Sequence, residues 1–184
     1  MAGRMRKTER GLLFVIRDRT GFSLVEVISV LVVLGVLAAA VIAKYTSTDT
    51  VDATAQASAI KNSIRFAQSR AMKLGDPTNP NTIWGIKAQG GQYWLFKTVS
   101  PDDAANWVTL PSESNQKVTV ANSRVTITDF LVFFDSVGRP YTAYTSSTVN
   151  TPVGAGNPVA VTVSSTAGGA AVSFGVTPET GFVQ

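Results

Sequence analysis

The stretch Phe22–Ala43, FSLVEVISVLVVLGVLAAAVIA, is an apolar run of 22 residues broken by one carboxylate, Glu26. As a helix it covers about 33 Å, enough to cross a hydrocarbon core of roughly 30 Å. Glu26 stands four residues after the start of the run, and Arg19-Thr20-Gly21 stands directly before it. An ionisable side chain near a bilayer is costly and is rarely kept without a partner. A simple membrane anchor with a glutamate near the headgroups is the plainer alternative.

Charge divides the chain at the same place. Residues 1–21 hold Arg4, Arg6, Lys7, Arg10, Arg17 and Arg19 against Glu9 and Asp18. The chain carries 16 Lys+Arg and 12 Asp+Glu, so the remainder has ten of each sign and the net +4 belongs wholly to the first 21 residues. Only Lys44 and Lys61 lie within about 20 residues after the apolar run, so the positive-inside rule predicts a cytoplasmic N-terminus and an exported C-terminal domain. A conventional signal peptide, cut after Ala38-Ala39-Ala40, is the rival reading. The run is longer than an ordinary signal core, and Glu26 sits awkwardly in one. Gly11–Ile16 (GLLFVI) is too short to span.

Histidine and cysteine are absent. The domain must therefore hold together by packing and sheet hydrogen bonds rather than disulfides. The usual zinc ligands and the commonest general base are missing, and no Ser-His-Asp arrangement can form. Asp102-Asp103 reads as a turn or helix cap, and no EF-hand spacing occurs. Neither an enzyme nor a cofactor is expected.

Beyond the run, Ala53, Ala57, Ile60, Ile64, Ala67, Ala71 and Leu74 recur in steps of four and three, which predicts a continuing helix with one apolar stripe. The stripe is mostly small residues, so the helix should lie close against a sheet. Asp52, Gln56, Lys61, Arg65, Gln68 and Arg70 fall between and suit solvent or neighbouring chains. Gly75-Asp76-Pro77 predicts the helix end, with Gly75 as a left-handed cap. A helix from Phe22 to Leu74 would be about 80 Å long, though Thr46–Thr50 (TSTDT) offers side chains that compete for its backbone hydrogen bonds.

Residues 78–184 read as β. Ile83–Ile86 and Gln92–Phe96 flank Gly90-Gly91, a hairpin signal. Further strands are expected at Trp107–Leu110, Lys117–Val120, Arg124–Ile127, Asp129–Phe134, Pro158–Val163 and Ala171–Val176. Gly138-Arg139-Pro140 and Pro178–Gly181 mark turns. A strand through Tyr141 and Tyr144, three apart, would point them to opposite faces. Residues 145–170 read as a loose loop interrupted by one strand. Trp84, Trp94 and Trp107 are expected as sheet and core aromatics rather than a sugar platform. Val176–Val183 reads as a last hairpin edge able to offer a strand to a neighbour. The fold class is α+β: a long N-terminal helix, its first half membrane-spanning, packed on a C-terminal antiparallel β-sheet domain. The expected divisions are 1–21, 22–74 (with 22–43 transmembrane) and 75–184.

The basic leader ending in Gly21, then Phe22-Ser23-Leu24-Val25-Glu26 and an apolar helix containing Gly35, resembles the N-terminal signature of type IV prepilins and type II secretion pseudopilins. That resemblance implies a pilin-like fold and cleavage between Gly21 and Phe22 by a prepilin peptidase, which would methylate the new amino group of Phe22. It also implies that Glu26 pairs with the Phe22 ammonium of a neighbouring subunit during filament assembly. Two opposite charges attract strongly in a low-dielectric bundle and each alone is costly, so the pair would act as a register device. Implied partners are other pilins or pseudopilins, the peptidase, an inner-membrane assembly platform and the membrane itself. The implied location is the bacterial inner membrane, single pass, with the C-terminal domain periplasmic, and then a pilus or pseudopilus. Many major pilins bend this helix at a proline near where this chain has Ala43. Major pseudopilins can bind calcium elsewhere in the fold, and many relatives carry a C-terminal disulfide that this chain cannot form.

Three further pieces, Arg65–Ala71 (RFAQSRA), Phe133–Pro140 (FFDSVGRP) and Val176–Val183 (VTPETGFV), resemble the H-type minor pseudopilin and its minor-pilin cousins. The resemblance implies a structural, minor subunit serving protein transport or a pilus. The alternatives are a DNA-uptake or adhesin-type minor pilin and an anchored domain that never assembles. DNA-binding cousins use C-terminal arginines on phosphates. Here nothing after Arg139 is Lys or Arg, so no nucleic-acid partner is expected. Arg139 itself reads as a turn residue rather than a ligand-binding one.

Overall fold

The computed structural model describes residues 21–79, 82–111, 113–120, 124–166 and 170–184, with side chains omitted at 42–49. Of the leader expected over 1–21, residues 1–20, including Gly11–Ile16, lie outside the described residues. The chain divides into two compact units, residues 1–40 and 41–184. Helix α1 covers Leu24–Leu74 and continues through Ala43 and Thr46–Thr50 without a break.

In the second unit α1 presents the face read from its sequence. Ala53, Ala57, Ile60, Ile64, Ala67 and Ala71 are all buried, at 1 % exposure or less. Each fully buried isoleucine contributes roughly 1.5–3 kcal/mol, and the alanines between them let the sheet approach closely. Leu74, expected in this stripe, is exposed at the last residue of α1. Gly75 does not adopt the expected left-handed cap. Its N–H donates to the Ala71 carbonyl at 2.7 Å in the ordinary helical pattern. Glycine is needed for room instead, because a Cβ would clash with that carbonyl oxygen and stand 3.0 Å from Cα and Cβ of Ser136.

Among the described residues ten strands follow, all paired antiparallel. They are β1 Trp84–Gln89, β2 Gln92–Lys97, β3 Trp107–Val108, β4 Lys117–Thr119, β5 Val125–Ile127, β6 Phe130–Phe134, β7 Pro140–Tyr144, β8 Asn150–Pro152, β9 Val159–Ser165 and β10 Val172–Val176. A seven-stranded sheet runs β3-β2-β1-β6-β7-β8 with β4 also on β2, and a three-stranded sheet runs β10-β9-β5. Gly90 and Gly91, with φ of +60° and +76°, form the two-residue turn joining β1 to β2; left-handed angles at both positions match the natural twist of a hairpin.

The large sheet is covered on both faces, which is why β2 and β6 are nearly continuous buried runs, with Leu131 half-buried, rather than alternating ones. Tyr93, Leu95, Val132 and Phe134 join the α1 stripe and the small sheet in one core. Trp94, Phe96, Phe133 and Tyr141 form a second cluster with Ile83. Phe96 and Phe133 meet edge to face at 5.2 Å. The indole N–H groups of Trp94 and Trp107 both donate to the Pro101 carbonyl, at 2.8 and 2.9 Å, and the Lys117 ammonium lies over both rings. These tryptophans are therefore packing groups. Asp103 caps the short 3-10 turn Ala104–Asn106 by accepting from the Ala105 N–H at 3.0 Å, and Asp102 pairs with Lys87.

Two strand expectations need correction. The segment 145–170 holds two strands, β8 and β9, not one; Ser146 and Asn150 tie the turn between β7 and β8 with side-chain bonds that composition does not announce. Tyr141 and Tyr144 do not point to opposite faces. The β7–β8 register shifts between Tyr141 and Ala143, and this bulge adds the extra step that returns both rings to one face. They meet edge to face at 5.2 Å.

Candidate functional site

The first unit contains the motif-bearing residues. Gly21 to Ser23 precede α1, and the Val27 N–H reaches back to the Ser23 carbonyl at 3.2 Å. Glu26 lies in the first helical turn, where a carboxylate complements the positive end of the helix dipole. Ser29 donates to the Val25 carbonyl at 2.8 Å, which satisfies its hydroxyl inside the helix and lets it sit in apolar surroundings. Every described side chain from Gly21 to Val41 is exposed within the unit.

The segment Leu24–Val41 has a mean hydropathy of 2.8 and none of it is buried. An apolar surface of that extent requires lipid or neighbouring chains to cover it. Phe22, Glu26, Val27, Val30 and Leu31 line one shallow concavity, so the helix start presents a carboxylate beside an apolar wall. Among the described residues, a Cβ added at Gly21 would meet nothing within 4 Å, so no contact there calls for glycine.

In the second unit, the three sequence pieces at 65–71, 133–140 and 176–183 come together in space. The Gln68 side-chain amide donates to the Gly138 carbonyl at 3.0 Å and to the Thr180 carbonyl at 2.7 Å. Arg65 donates to the Val183 carbonyl at 3.1 Å, with its guanidinium 5.7 Å from the Phe182 ring centre. Gln68 and Arg65 therefore do not serve only solvent or neighbours, as their polarity suggested; they clamp two turns of their own chain. Gly138 and Gly181 both have left-handed φ, +86° and +63°.

Arg139 acts through its backbone. Its N–H and that of Val137 donate to Asp135 Oδ1, while Tyr141 donates its phenol proton to Asp135 Oδ2 at 2.9 Å. Gln68 and Asp135 are the residues that sequence reasoning missed. The signal available for Gln68 was a polar residue bordering the buried stripe on a helix followed by two glycine turns. Among the described residues there is no cluster of three His, Cys, Asp or Glu able to hold a metal.

Burial pushes the Tyr141 phenol up to about 12, helped by its hydrogen bond to Asp135 and by that carboxylate's charge. A raised acid pKa in the fold means that the folded state holds its proton longer than the unfolded chain. The associated stability is thus full below pH 10, the ordinary tyrosine value, and is lost as pH rises from there through about 12. Burial also raises Tyr93 and Tyr144, so ultraviolet titration is expected to show several late-ionising tyrosines, the latest of which Tyr141→Phe removes; an unchanged latest component would contradict the assignment.

Residues 16–42 match the family model described as the prokaryotic N-terminal methylation motif. The matched stretch holds Gly21, Phe22, Glu26 and nearly all of the exposed apolar span. With the fold, it supports a type IV prepilin-like protein, a membrane-anchored subunit of the pilin or pseudopilin type. Such subunits are structural. No curated protein and no solved structure matches the chain.

Proposed function

We propose that this chain is a minor subunit of a type II secretion pseudopilus or a type IV pilus. The observation that carries the reading is the fully exposed apolar span whose one ionisable group, Glu26, lies in the first helical turn, directly after Gly21-Phe22. A prepilin peptidase removes residues 1–21 and methylates Phe22. The subunit waits in the inner membrane with residues 75–184 on the periplasmic side, since the six leader cations favour a cytoplasmic N-terminus. Glu26 then pairs with the Phe22 ammonium of a neighbour as the assembly platform adds the subunit to a filament of other pilins or pseudopilins. The convergence of the three H-type-like pieces around Gln68 supports the minor role.

Gly21→Val tests the first step. Among the described residues nothing lies within 4 Å of a Cβ at Gly21, so the substitution should act on recognition by an enzyme that must fit a small residue there. The expected result is nearly complete retention of the leader, seen as a heavier band on electrophoresis of membrane fractions. Normal processing of this variant would sink the assignment.

A further inference from the structure

We propose that the second unit carries, beside the end of α1, a binding pocket for a pyranose sugar, independent of the assembly machinery. A cavity of about 170 Å³ opens between the turn after α1 and the β7 region. Ile83 and Tyr141 are its buried floor. Tyr144 gives a half-buried aromatic wall, set perpendicular to Tyr141 by the β7 bulge. Asp76, Asn79, Asp135 and Ser147 bring oxygen and amide groups to the rim. An aromatic wall facing hydrogen-bonding side chains suits a molecule with C–H faces and ring hydroxyls.

The charge of the lining narrows the class. Two carboxylates face the cavity, and no lysine or arginine among the described residues lines it. Phosphates, nucleic acid and acidic glycans are therefore disfavoured. Carboxylates accept hydrogen bonds, and hydroxyl groups are neutral donors that can supply them.

The rim is also built before any ligand arrives. Asp76 Oδ1 accepts from the Thr78 N–H at 2.8 Å and the Thr78 hydroxyl at 2.7 Å. The Asp76 N–H donates to the Thr82 hydroxyl at 2.6 Å, and that hydroxyl donates to the Asn79 carbonyl at 2.8 Å. Asp135 is held by two backbone N–H groups and the Tyr141 phenol. A rigid rim lowers the ordering cost of binding a small ligand. These contacts are local to the second unit, so the site does not depend on leader removal or filament entry.

The test is saturation-transfer NMR on the full chain in a detergent without a sugar headgroup. The probes are the methyl pyranosides of glucose, galactose, mannose and N-acetylglucosamine, with tetramethylammonium as a cationic comparison. At least one pyranoside is expected to show saturable transfer with a Kd on the order of 1 mM, the range typical of a single small polar ligand. Tyr144→Ala is expected to weaken it at least about tenfold and Asp76→Asn to weaken it less, with the tryptophan fluorescence of both variants unchanged. No transfer from any pyranoside, binding that Tyr144→Ala leaves intact, or preferential binding of tetramethylammonium would overturn the proposal.

Discussion

Glu26→Val is expected to leave the chain in the membrane and keep it out of the filament. Removing a carboxylate from the apolar span makes insertion more favourable, since charged residues oppose insertion and valine slightly favours it. Assembly is affected in the opposite direction. In the proposed filament each Phe22 ammonium meets a neighbour's Glu26, and the variant leaves that cation unpaired among apolar helices. Deleting one partner of a buried pair costs about 3–5 kcal/mol, which corresponds to a loss of at least roughly 100-fold in subunit addition. Helix α1 itself should persist, because Glu26 is exposed in its first turn and the substitution removes no packed side chain. The readout is the ratio of filament-associated to membrane-associated protein after shearing. Wild-type incorporation of the variant would remove the charge pair from the account.

Gly181→Ala is expected to be strongly destabilising in the second unit. Gly181 has φ +63°, a region that costs an L-residue roughly 1–2 kcal/mol. A Cβ there would stand 2.6 Å from the Gln68 side-chain nitrogen, 2.7 Å from the Gly138 carbonyl and 2.9 Å from the Phe134 ring. Two of those three contacts belong to the clamp, so relief of the clash means breaking the Gln68 bonds to Gly138 and Thr180. The combined loss should be about 3–5 kcal/mol, a large share of the 5–15 kcal/mol typical of a whole protein. Gly154→Ala is the control, because its Cβ would meet nothing within 4 Å. Denaturant unfolding of the detergent-solubilised chain, followed by tryptophan fluorescence, measures both. A loss at position 181 no larger than at 154 would mean that the clamp yields freely.

The elements legible in the sequence were those set by local periodicity. The α1 stripe from Ala53 to Ala71 is buried as its spacing required, and Gly90-Gly91 makes the turn its composition implied. Sheet strands at 84–97, 125–134 and 159–176 fell where β-branched and aromatic residues cluster. What stayed hidden depends on residues distant in the chain. Gln68 bonds to carbonyls 70 and 112 positions away, and no window of sequence contains both partners. The β7 bulge is a property of a strand pair, so the spacing of Tyr141 and Tyr144 alone gave the wrong face. Gly75 was assigned to a turn geometry when its reason is the closeness of Ser136. At the candidate assembly site the converse holds. The motif is local and readable at once, whereas the proposed partners of its exposed helix are other molecules, which this sequence does not contain.

The central claim is that Phe22 is the true N-terminus of a filament subunit. Intact mass and N-terminal sequencing of the membrane-extracted protein, from cells with and without prepilin peptidase, test it directly. The account predicts a chain beginning at N-methylated Phe22 only when the peptidase is present, and a chain retaining residues 1–21 when it is absent. A chain that keeps residues 1–21 in both, or begins after Ala40, would contradict it and leave an anchored or secreted domain in its place.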